Sequence, residues 1–107
     1  MKTVYIASPY SIGDQADNVR RSLKAADTLL ACGYIPFVPL LSHFWHLYSP
    51  KAPDVWYKYD NEWVTRCDCL LRLPGESVGA DNEVKLAFDN DIPIYYTIGA
   101  LVKKEAV

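Results

Sequence analysis

The chain has 107 residues, half of them hydrophobic, and a formal net charge of −2 at pH 7. This length suits one compact domain, so we expect residues 1–107 to form a single domain. The acidic balance and the lack of a basic run exclude a surface for long nucleic acids. The apolar runs are shorter than the ~20 residues that cross a bilayer and too short for a secretory leader, which predicts a cytoplasmic protein without membrane contact.

The chain opens with a predicted strand and a predicted helix. Residues 3–7 are β-branched or apolar and predict a strand that a Ser-Pro pair ends at residues 8–9. Residues 17–32 repeat apolar side chains with helical spacing, and Gly33 stands where a helix would stop. The predicted inner stripe of this helix is Val19, Leu23, Ala26, Leu29 and Leu30.

The middle of the chain predicts an edge strand followed by helical segments. Residues 34–38 predict a short strand at the edge of a sheet, because Pro36 cannot donate a hydrogen bond to a neighbouring strand. Residues 42–49 are rich in aromatic side chains and fit either a short helix or a structured loop. Residues 53–66 predict a helix that begins at a proline.

The last third of the chain alternates between strands and helices. Residues 69–73 form a nearly continuous apolar run, typical of a strand covered on both faces. A turn at residues 74–77 leads into a predicted helix over residues 79–90. A further strand is predicted over residues 92–96 and a short helix over residues 100–105.

This alternation predicts an α/β fold. Strands separated by helices form parallel sheets with right-handed crossovers, so we expect a three-layer sandwich around about four parallel strands. The expected architecture is flavodoxin-like or Rossmann-like, with strand order 2-1-3-4. In such sheets ligands bind beyond the carboxyl ends of the strands, where the strand order reverses. This rule predicts a binding site between residues 8–14 and residues 74–83.

Two carboxylates lie on helix faces that are otherwise apolar. Asp60 follows Trp56 by four residues and precedes Trp63 by three, which places it on the stripe that continues through Val64 and Cys67. A buried carboxylate is costly unless it has a partner, and its pKa can rise. We interpret Asp60 as a candidate catalytic acid, with a satisfied buried polar group as the alternative.

Glu83 is the second such acid. It stands on the predicted inner face of the next helix, formed by Ala80, Val84, Ala87 and Phe88. Two acids at one sheet edge suit glycosidic chemistry, one as nucleophile and one as proton donor or base. The alternative is a helix-start carboxylate, where a negative charge is favourable in any protein. Close by, Ser77, Val78 and Gly79 open a helix whose N–H groups can hold an anion or a sugar hydroxyl, unless they form an ordinary turn.

Aromatic, histidine and cysteine side chains supply further candidates. Five aromatic residues either form a surface on which a nucleobase stacks or belong to the core, and we favour core for most of them and most strongly for Trp63. They are Tyr10, Trp45, Trp56, Tyr57 and Trp63. His43 and His46 lack an obvious third ligand, so contact with a base is favoured over a metal. The odd cysteine count favours reduced thiols, and Cys67 and Cys69 are expected in the core.

Four segments of the chain resemble the nucleoside 2-deoxyribosyltransferase superfamily, which includes deoxynucleoside 5'-monophosphate N-glycosidases. They are V-Y-I-A-S-P-Y at residues 4–10, D-N-E-W-V-T-R-C-D-C-L-L at 60–71, S-V-G-A-D-N-E at 77–83 and A-F-D-N-D-I-P-I-Y at 87–95. The resemblance implies cleavage of the N-glycosidic bond of a 2'-deoxyribonucleoside and transfer of the sugar to another nucleobase. It implies no metal and no organic cofactor.

The resemblance also implies roles for individual residues. Glu83 would be the nucleophile that carries the deoxyribosyl group, and Asp60 the acid near the leaving base. Tyr5 would orient the nucleophile. Ser8 would lie in the substrate-binding loop after the first strand, and Ser77 would contact the 5' end of the sugar. The family further implies small-molecule nucleosides and nucleobases as partners, and a homo-oligomer whose neighbouring subunit completes each site.

The acceptor of the sugar stays open at the level of the sequence. The monophosphate hydrolases of the superfamily carry an arginine in the first loop, and residues 8–13 hold no basic side chain. At the position of Ser77, however, the hydrolases have serine, whereas many transferases have an acid. We therefore predict a transferase, with hydrolysis of a deoxynucleoside 5'-monophosphate as the alternative. A non-catalytic nucleotide-binding module on the same fold is the alternative from another class.

Overall fold

The computed structural model describes residues 1–106 and contains each predicted element. The segment at residues 42–49, left open above, is helical. The elements are β1 (Thr3–Ala7), α1 (Gln15–Ala31), β2 (Ile35–Phe37), a short 3-10 helix (Pro39–Leu41), α2 (Ser42–Tyr48), α3 (Pro53–Val64), β3 (Cys69–Arg72), α4 (Val78–Asp89), β4 (Ile94–Tyr95) and α5 (Ile98–Glu105).

Within residues 1–106 the strands form one parallel sheet in the order β2-β1-β3-β4. The predicted α/β class and the strand order 2-1-3-4 are therefore confirmed. In the register of the sheet, Tyr5 of β1 stands between Phe37 of β2 and Leu70 of β3. The strand that contains Pro36 lies at an edge, as its missing N–H predicts.

Alternation along β1 and β3 separates two cores, one on each face of the sheet. One core is built around Val4, Ile6, Ala25, Leu29, Tyr34, Val38, Cys69, Leu71 and Leu101, so α1 and α5 cover that face. The other is built around Tyr5, Ala7, Val64, Cys67, Leu70, Ala80 and Ala87, so α3 and α4 cover the opposite face. Helices on both faces give the predicted three layers, and both cysteines expected in the core are buried.

The inner stripe predicted for α1 is wrong in part: Val19 and Leu29 are buried as predicted, but two of the other positions are not. Leu23 and Leu30 are 39% and 56% exposed, whereas Asn18 and Ser22 are buried. The small polar side chains can face the sheet because each is satisfied locally. Ser22 Oγ donates to the Val19 carbonyl at 2.8 Å, and Asn18 Nδ2 donates to carbonyls of the loop after β1. The buried face is therefore rotated from the predicted stripe by less than the ~100° that separates successive residues of a helix.

Smaller corrections concern element ends and two aromatic residues. Helix α1 begins two residues earlier than predicted, because the Asp14 side chain caps it by accepting from the Asp17 N–H at 3.2 Å. Strand β4 has only two residues instead of five. Phe88, predicted on the inner face of α4, is 72% exposed, and Trp63 is 37% exposed.

Among residues 1–106, no helix is long and apolar enough to cross a membrane.

Candidate active site

A cavity of about 680 Å³ opens beyond the carboxyl ends of β1 and β3. Its walls come from the loop after β1, from α2 and α3, and from the start of α4. This is the location that the strand order predicts, because the chain crosses from one side of the sheet to the other between β1 and β3. The predicted site residues that line it are Ser8, Tyr10, Trp56, Asp60, Ser77, Gly79 and Glu83.

Tyr5, the remaining predicted site residue, lies beneath the cavity and contacts Glu83. Strand β1 buries Tyr5 completely on the face that α4 covers, and its hydroxyl donates a hydrogen bond to Glu83 Oε2. Burial raises the pKa of Tyr5 far above its usual range, so the hydroxyl keeps its proton and remains a donor. The geometry therefore fixes one oxygen of the Glu83 carboxyl and leaves the other for the cavity.

Burial also shifts the acidity of Glu83. It raises the pKa of the carboxyl to about 7, and the charge of Asp60 acts in the same direction. The hydrogen bond from Tyr5 and the positive charge of Arg72 both lower that pKa. Glu83 is thus a partly buried acid with two groups that favour its anion.

Asp60 lacks that support. Its Oδ1 atom is buried and finds no hydrogen-bond partner among residues 1–106. Burial raises the pKa of Asp60 to about 7. The pKa of each carboxyl is thus about 7, so the two acids titrate over the same pH range and differ in their hydrogen-bond partners. Of the two, Glu83 is the carboxyl whose oxygen accepts a hydrogen bond from a buried hydroxyl, and Asp60 is the one with a buried oxygen available to a ligand.

A wall of aromatic and histidine side chains faces the two acids. Trp56 Nε1 donates to His46 Nδ1 at 3.0 Å, and the backbone N–H of Lys51 donates to the same atom at 3.2 Å. A ring nitrogen that accepts two hydrogen bonds carries no proton, so the proton of neutral His46 is on Nε2. On the same wall, the Tyr10 hydroxyl and His43 Nδ1 share a hydrogen bond.

Of the remaining aromatic candidates, one lines the cavity and two pack against other aromatic rings. Tyr57 lines the cavity and is 60% exposed. Trp45 packs edge-on against Trp56, with ring centroids 5.2 Å apart. Trp63 does not line the cavity; it stacks on Phe37 of the edge strand with ring centroids 4.8 Å apart, outside the buried core.

The start of α4 supplies backbone donors to the cavity. Ser77 is the N-cap, and its Oγ accepts the Ala80 N–H at 3.0 Å. The first N–H groups of a helix have no partner within the helix, so those of Val78 and Gly79 face outward at the cavity lining. In the described part of the chain, no group of three or more His, Cys, Asp or Glu side chains is arranged to hold a metal ion.

Residues 2–97 match a family described as a domain of unknown function, DUF7768. The chain belongs to the DUF7768 family. A search of the curated proteins finds no match to it.

Among solved structures, this DUF7768 chain is similar to two 2-deoxyribosyltransferases. The protein from Bacillus psychrosaccharolyticus is 19% identical with a TM-score of 0.64, and the match covers 86% of this chain and 69% of that protein. The protein from Leishmania mexicana is 14% identical with a TM-score of 0.68, covering 88% of this chain and 62% of that protein. The chain thus has the 2-deoxyribosyltransferase fold and spans about two thirds of the length of these relatives.

Two basic residues of this DUF7768 chain were missed in the sequence. Arg72 ends β3 and is buried. The sequence did contain a signal for it, because it is the one charged residue in an otherwise apolar strand. Lys51 lines the cavity between α2 and α3, and its position there depends on a loop conformation that no local pattern predicts. Within residues 1–106, Lys51 is the sole Lys or Arg of the cavity lining.

Proposed function

We propose that the chain cleaves the N-glycosidic bond of a 2'-deoxyribonucleoside and transfers the sugar to a second nucleobase. The observation that carries the proposal is a pair of carboxyls on one cavity, of which only Glu83 receives a hydrogen bond from a buried tyrosine. Glycosyl transfer with retention requires this division between a carboxylate nucleophile and a protonated acid. The shared fold with two 2-deoxyribosyltransferases supports the same chemistry.

In the first half of the reaction, Glu83 attacks the anomeric carbon of the sugar. The bond from that carbon to the base nitrogen breaks, and its electron pair goes to the base. Asp60 gives its proton to the departing base, which lowers the barrier because a neutral base leaves more easily than an anion. The product is a deoxyribosyl ester of Glu83, and Asp60 is left as a carboxylate.

In the second half, a nitrogen of the incoming base attacks the same carbon. The ester bond breaks, its electron pair returns to Glu83, and the Asp60 carboxylate accepts the proton of the incoming base. Two inversions at one carbon give net retention. The chemistry uses only carboxyl groups and the substrates, so it needs no metal and no organic cofactor.

The cavity walls offer matching contacts for the two parts of a nucleoside. Trp56 and Tyr10 present rings to a base, and His46 presents its Nε2–H as a donor for a base carbonyl or ring nitrogen. At the opposite wall, Ser8, Ser77 and the N–H of Gly79 offer hydrogen bonds to sugar hydroxyls. Base recognition is therefore assigned to α2, α3 and Tyr10 of the loop after β1, and sugar recognition to Ser8 of that loop and to the start of α4.

The test is product analysis with deoxyinosine, with and without free adenine. We expect deoxyadenosine and hypoxanthine when adenine is present, and a deoxyribosyl adduct on Glu83 in the mass spectrum of the protein. Glu83→Gln should lower the rate by at least ~10³-fold while the protein still binds substrate, because an amide is a poor nucleophile. Undiminished transfer by Glu83→Gln contradicts the mechanism, and substrate binding without any turnover by the wild type favours the non-catalytic module.

A second candidate is hydrolysis of a deoxynucleoside 5'-monophosphate, and specific features favour it. A 5'-phosphate requires cationic partners or several N–H donors. The start of α4 at Ser77 supplies donors, and Lys51 supplies one cation in the cavity lining. Comparing deoxyinosine with its 5'-monophosphate, each with and without adenine, separates the candidates. Faster turnover of the monophosphate, with free sugar phosphate as product regardless of adenine, selects the hydrolase; Ser77→Ala should then impair the monophosphate reaction more than the nucleoside reaction.

A further inference from the structure

Three successive backbone carbonyls between β3 and α4 accept hydrogen bonds from arginines. Arg72 donates to the carbonyls of Leu73 and Gly75, the latter at 2.9 Å. Arg21 of α1 donates to the Pro74 carbonyl between them at 3.1 Å. The backbone of this turn therefore has its acceptors fixed by side chains from two other elements.

Arg72 also ties the turn to the first turn of α4. Its Nη2 donates to Asp81 Oδ1 at 3.0 Å, in addition to its bond with the Gly75 carbonyl. The guanidinium is 9% exposed, whereas the Asp81 side chain is 70% exposed. A buried cation needs acceptors for its donors, and here two carbonyls and one carboxylate accept three hydrogen bonds from the guanidinium. The forked shape of arginine permits three acceptors at once, which a lysine could not reach with the same geometry.

The turn is packed as well as hydrogen-bonded. Gly75 has a φ of +121°, and a Cβ at this position would lie 2.8 Å from Pro9 Cγ. Pro9 belongs to the loop after β1, which contributes Ser8 and Tyr10 to the cavity. The turn after β3 and the loop after β1 are thus in close contact, and Arg72 holds the turn in that position.

We propose that Arg72 is a positioning residue whose buried guanidinium locks the turn between β3 and α4, and so sets where Ser77, Gly79 and Glu83 lie in the cavity. Its catalytic consequence rests on the proposed function. Asp81 contributes to the same positioning, because its carboxylate connects the guanidinium of Arg72 to the helix that carries Glu83.

The charge of Arg72 adds an electrostatic consequence to the positional one. The groups whose charge or hydrogen bond acts on Glu83 are Tyr5 from β1, Asp60 from α3 and Arg72 from β3. Of these, Arg72 is the cation, and it lowers the pKa of Glu83 against the effect of burial. Loss of the guanidinium should therefore loosen the turn and also move Glu83 toward its protonated, non-nucleophilic form.

The test uses three variants on the full chain. Arg72→Gln removes both the positive charge and the forked guanidinium. Arg72→Lys keeps the charge but lacks the forked geometry. Arg66→Gln is the matched control. Arg66 is exposed in the turn after α3, and its ion pair in the described part of the chain is with the exposed Glu62. Amide hydrogen exchange of residues 75–79 reports the turn. Carboxyl ¹³C NMR titration of Glu83 reports its charge, with Glu83→Gln used to assign the resonance.

Distinct results are expected for the two arginine variants. Exchange at residues 75–79 should become roughly fivefold to tenfold faster in both, because each loses hydrogen bonds. The pH midpoint of the Glu83 carboxyl titration should rise by roughly half a pH unit or more in Arg72→Gln but stay near the wild-type value in Arg72→Lys. In the enzyme assay, the acidic limb of kcat/KM should follow the midpoint. Arg66→Gln should change none of these quantities.

Unchanged exchange and an unchanged Glu83 midpoint in folded Arg72→Gln would overturn the proposal. If that variant does not fold, Asp81→Asn decides the question, because it removes the charged acceptor at a mostly exposed position. Exchange at residues 75–79 must then rise, and unaltered exchange refutes the positioning role. Both measurements are made without substrate, so wild-type inactivity on nucleosides would refute the proposed function while leaving the positioning role measurable.

Discussion

Replacing Asp60 by Asn should separate stability from activity. The Asp60 carboxyl is half-buried, with one oxygen that has no hydrogen-bond partner among residues 1–106. Ionising such a group is unfavourable in the folded state and costs nothing extra in the unfolded chain. The asparagine has nearly the same shape and never acquires the charge, so the variant should be more stable than the wild type wherever the wild-type carboxyl is forced to ionise.

The sign and size of the effect follow from the pKa. Because burial raises the pKa of Asp60 from 3.8 to about 7, the folded state holds its proton more tightly than the unfolded state. Stability that is present below about pH 3.8 is lost as the pH rises, and the loss is complete above about 7. At about 1.4 kcal/mol for each pKa unit the full effect is about 4 kcal/mol, which partial exposure of the carboxyl reduces to about 2 kcal/mol.

Urea denaturation of wild type and Asp60→Asn at pH 5 and pH 8 measures this gain. The new amide brings its own hydrogen-bonding cost, but that cost does not depend on pH and cancels in the comparison. We expect the stability advantage of Asp60→Asn to be larger at pH 8 by about 1 kcal/mol or more. Asp27→Asn, at an exposed position on α1, is the control and should give the same difference at both pH values.

Activity should change in the opposite direction. Asparagine cannot supply the proton that the leaving base needs, so the rate should drop by ~10²-fold or more. Nucleosides with a good leaving group should lose less. An advantage of Asp60→Asn that is independent of pH would refute the claim that burial of the charge is the cause. Equal losses with good and poor leaving groups would show that Asp60 does not transfer the proton.

Two further predictions concern Glu83's partner and the turn beside it. Tyr5→Phe removes the hydrogen bond that favours the Glu83 anion, so the acidic limb of the kcat/KM profile should move to higher pH; a rate loss that is uniform across pH would contradict this. Gly75→Ala forces a left-handed backbone and a contact with Pro9, and should lower the free energy of unfolding by about 1–3 kcal/mol in urea. The control Gly99→Ala, in open space on α5, should instead raise it by about 0.5–1 kcal/mol.

The fold was predictable because its signals are local and repeated. The apolar run at β1, the apolar run at β3 and the proline of β2 were enough for the parallel sheet and its order. Helix orientation was harder. The stripe of α1 was misplaced because Asn18 and Ser22 face the sheet, and their burial depends on hydrogen bonds to Val19 and to the loop after β1. Patterns of hydrophobicity treat such residues as exposed.

The candidate site was predictable in its acids and less so in their surroundings. Asp60 and Glu83 were found as carboxylates on apolar helix faces, and both line the cavity. The contact of Tyr5 with Glu83 spans 78 residues of sequence, so only the resemblance to a family indicated it. Arg72 shows the limit most clearly, because its three acceptors belong to a turn and a helix whose positions arise only when β3 joins the sheet.

The division of labour between the two acids follows from which elements reach them. The pKa of each is raised to about 7, but for Asp60 burial is the cause, whereas for Glu83 burial is opposed by Tyr5 and Arg72. Glu83 lies on the helix that begins beside β3 and above β1, where Tyr5 donates to it and Arg72 is close enough to favour its anion. Asp60 lies on α3, and no described residue donates to its buried oxygen. The sheet therefore stabilises the anion of Glu83 through named partners and leaves Asp60 without one, and this difference in partners is what assigns the nucleophile to Glu83 and the proton transfer to Asp60 in the proposed reaction.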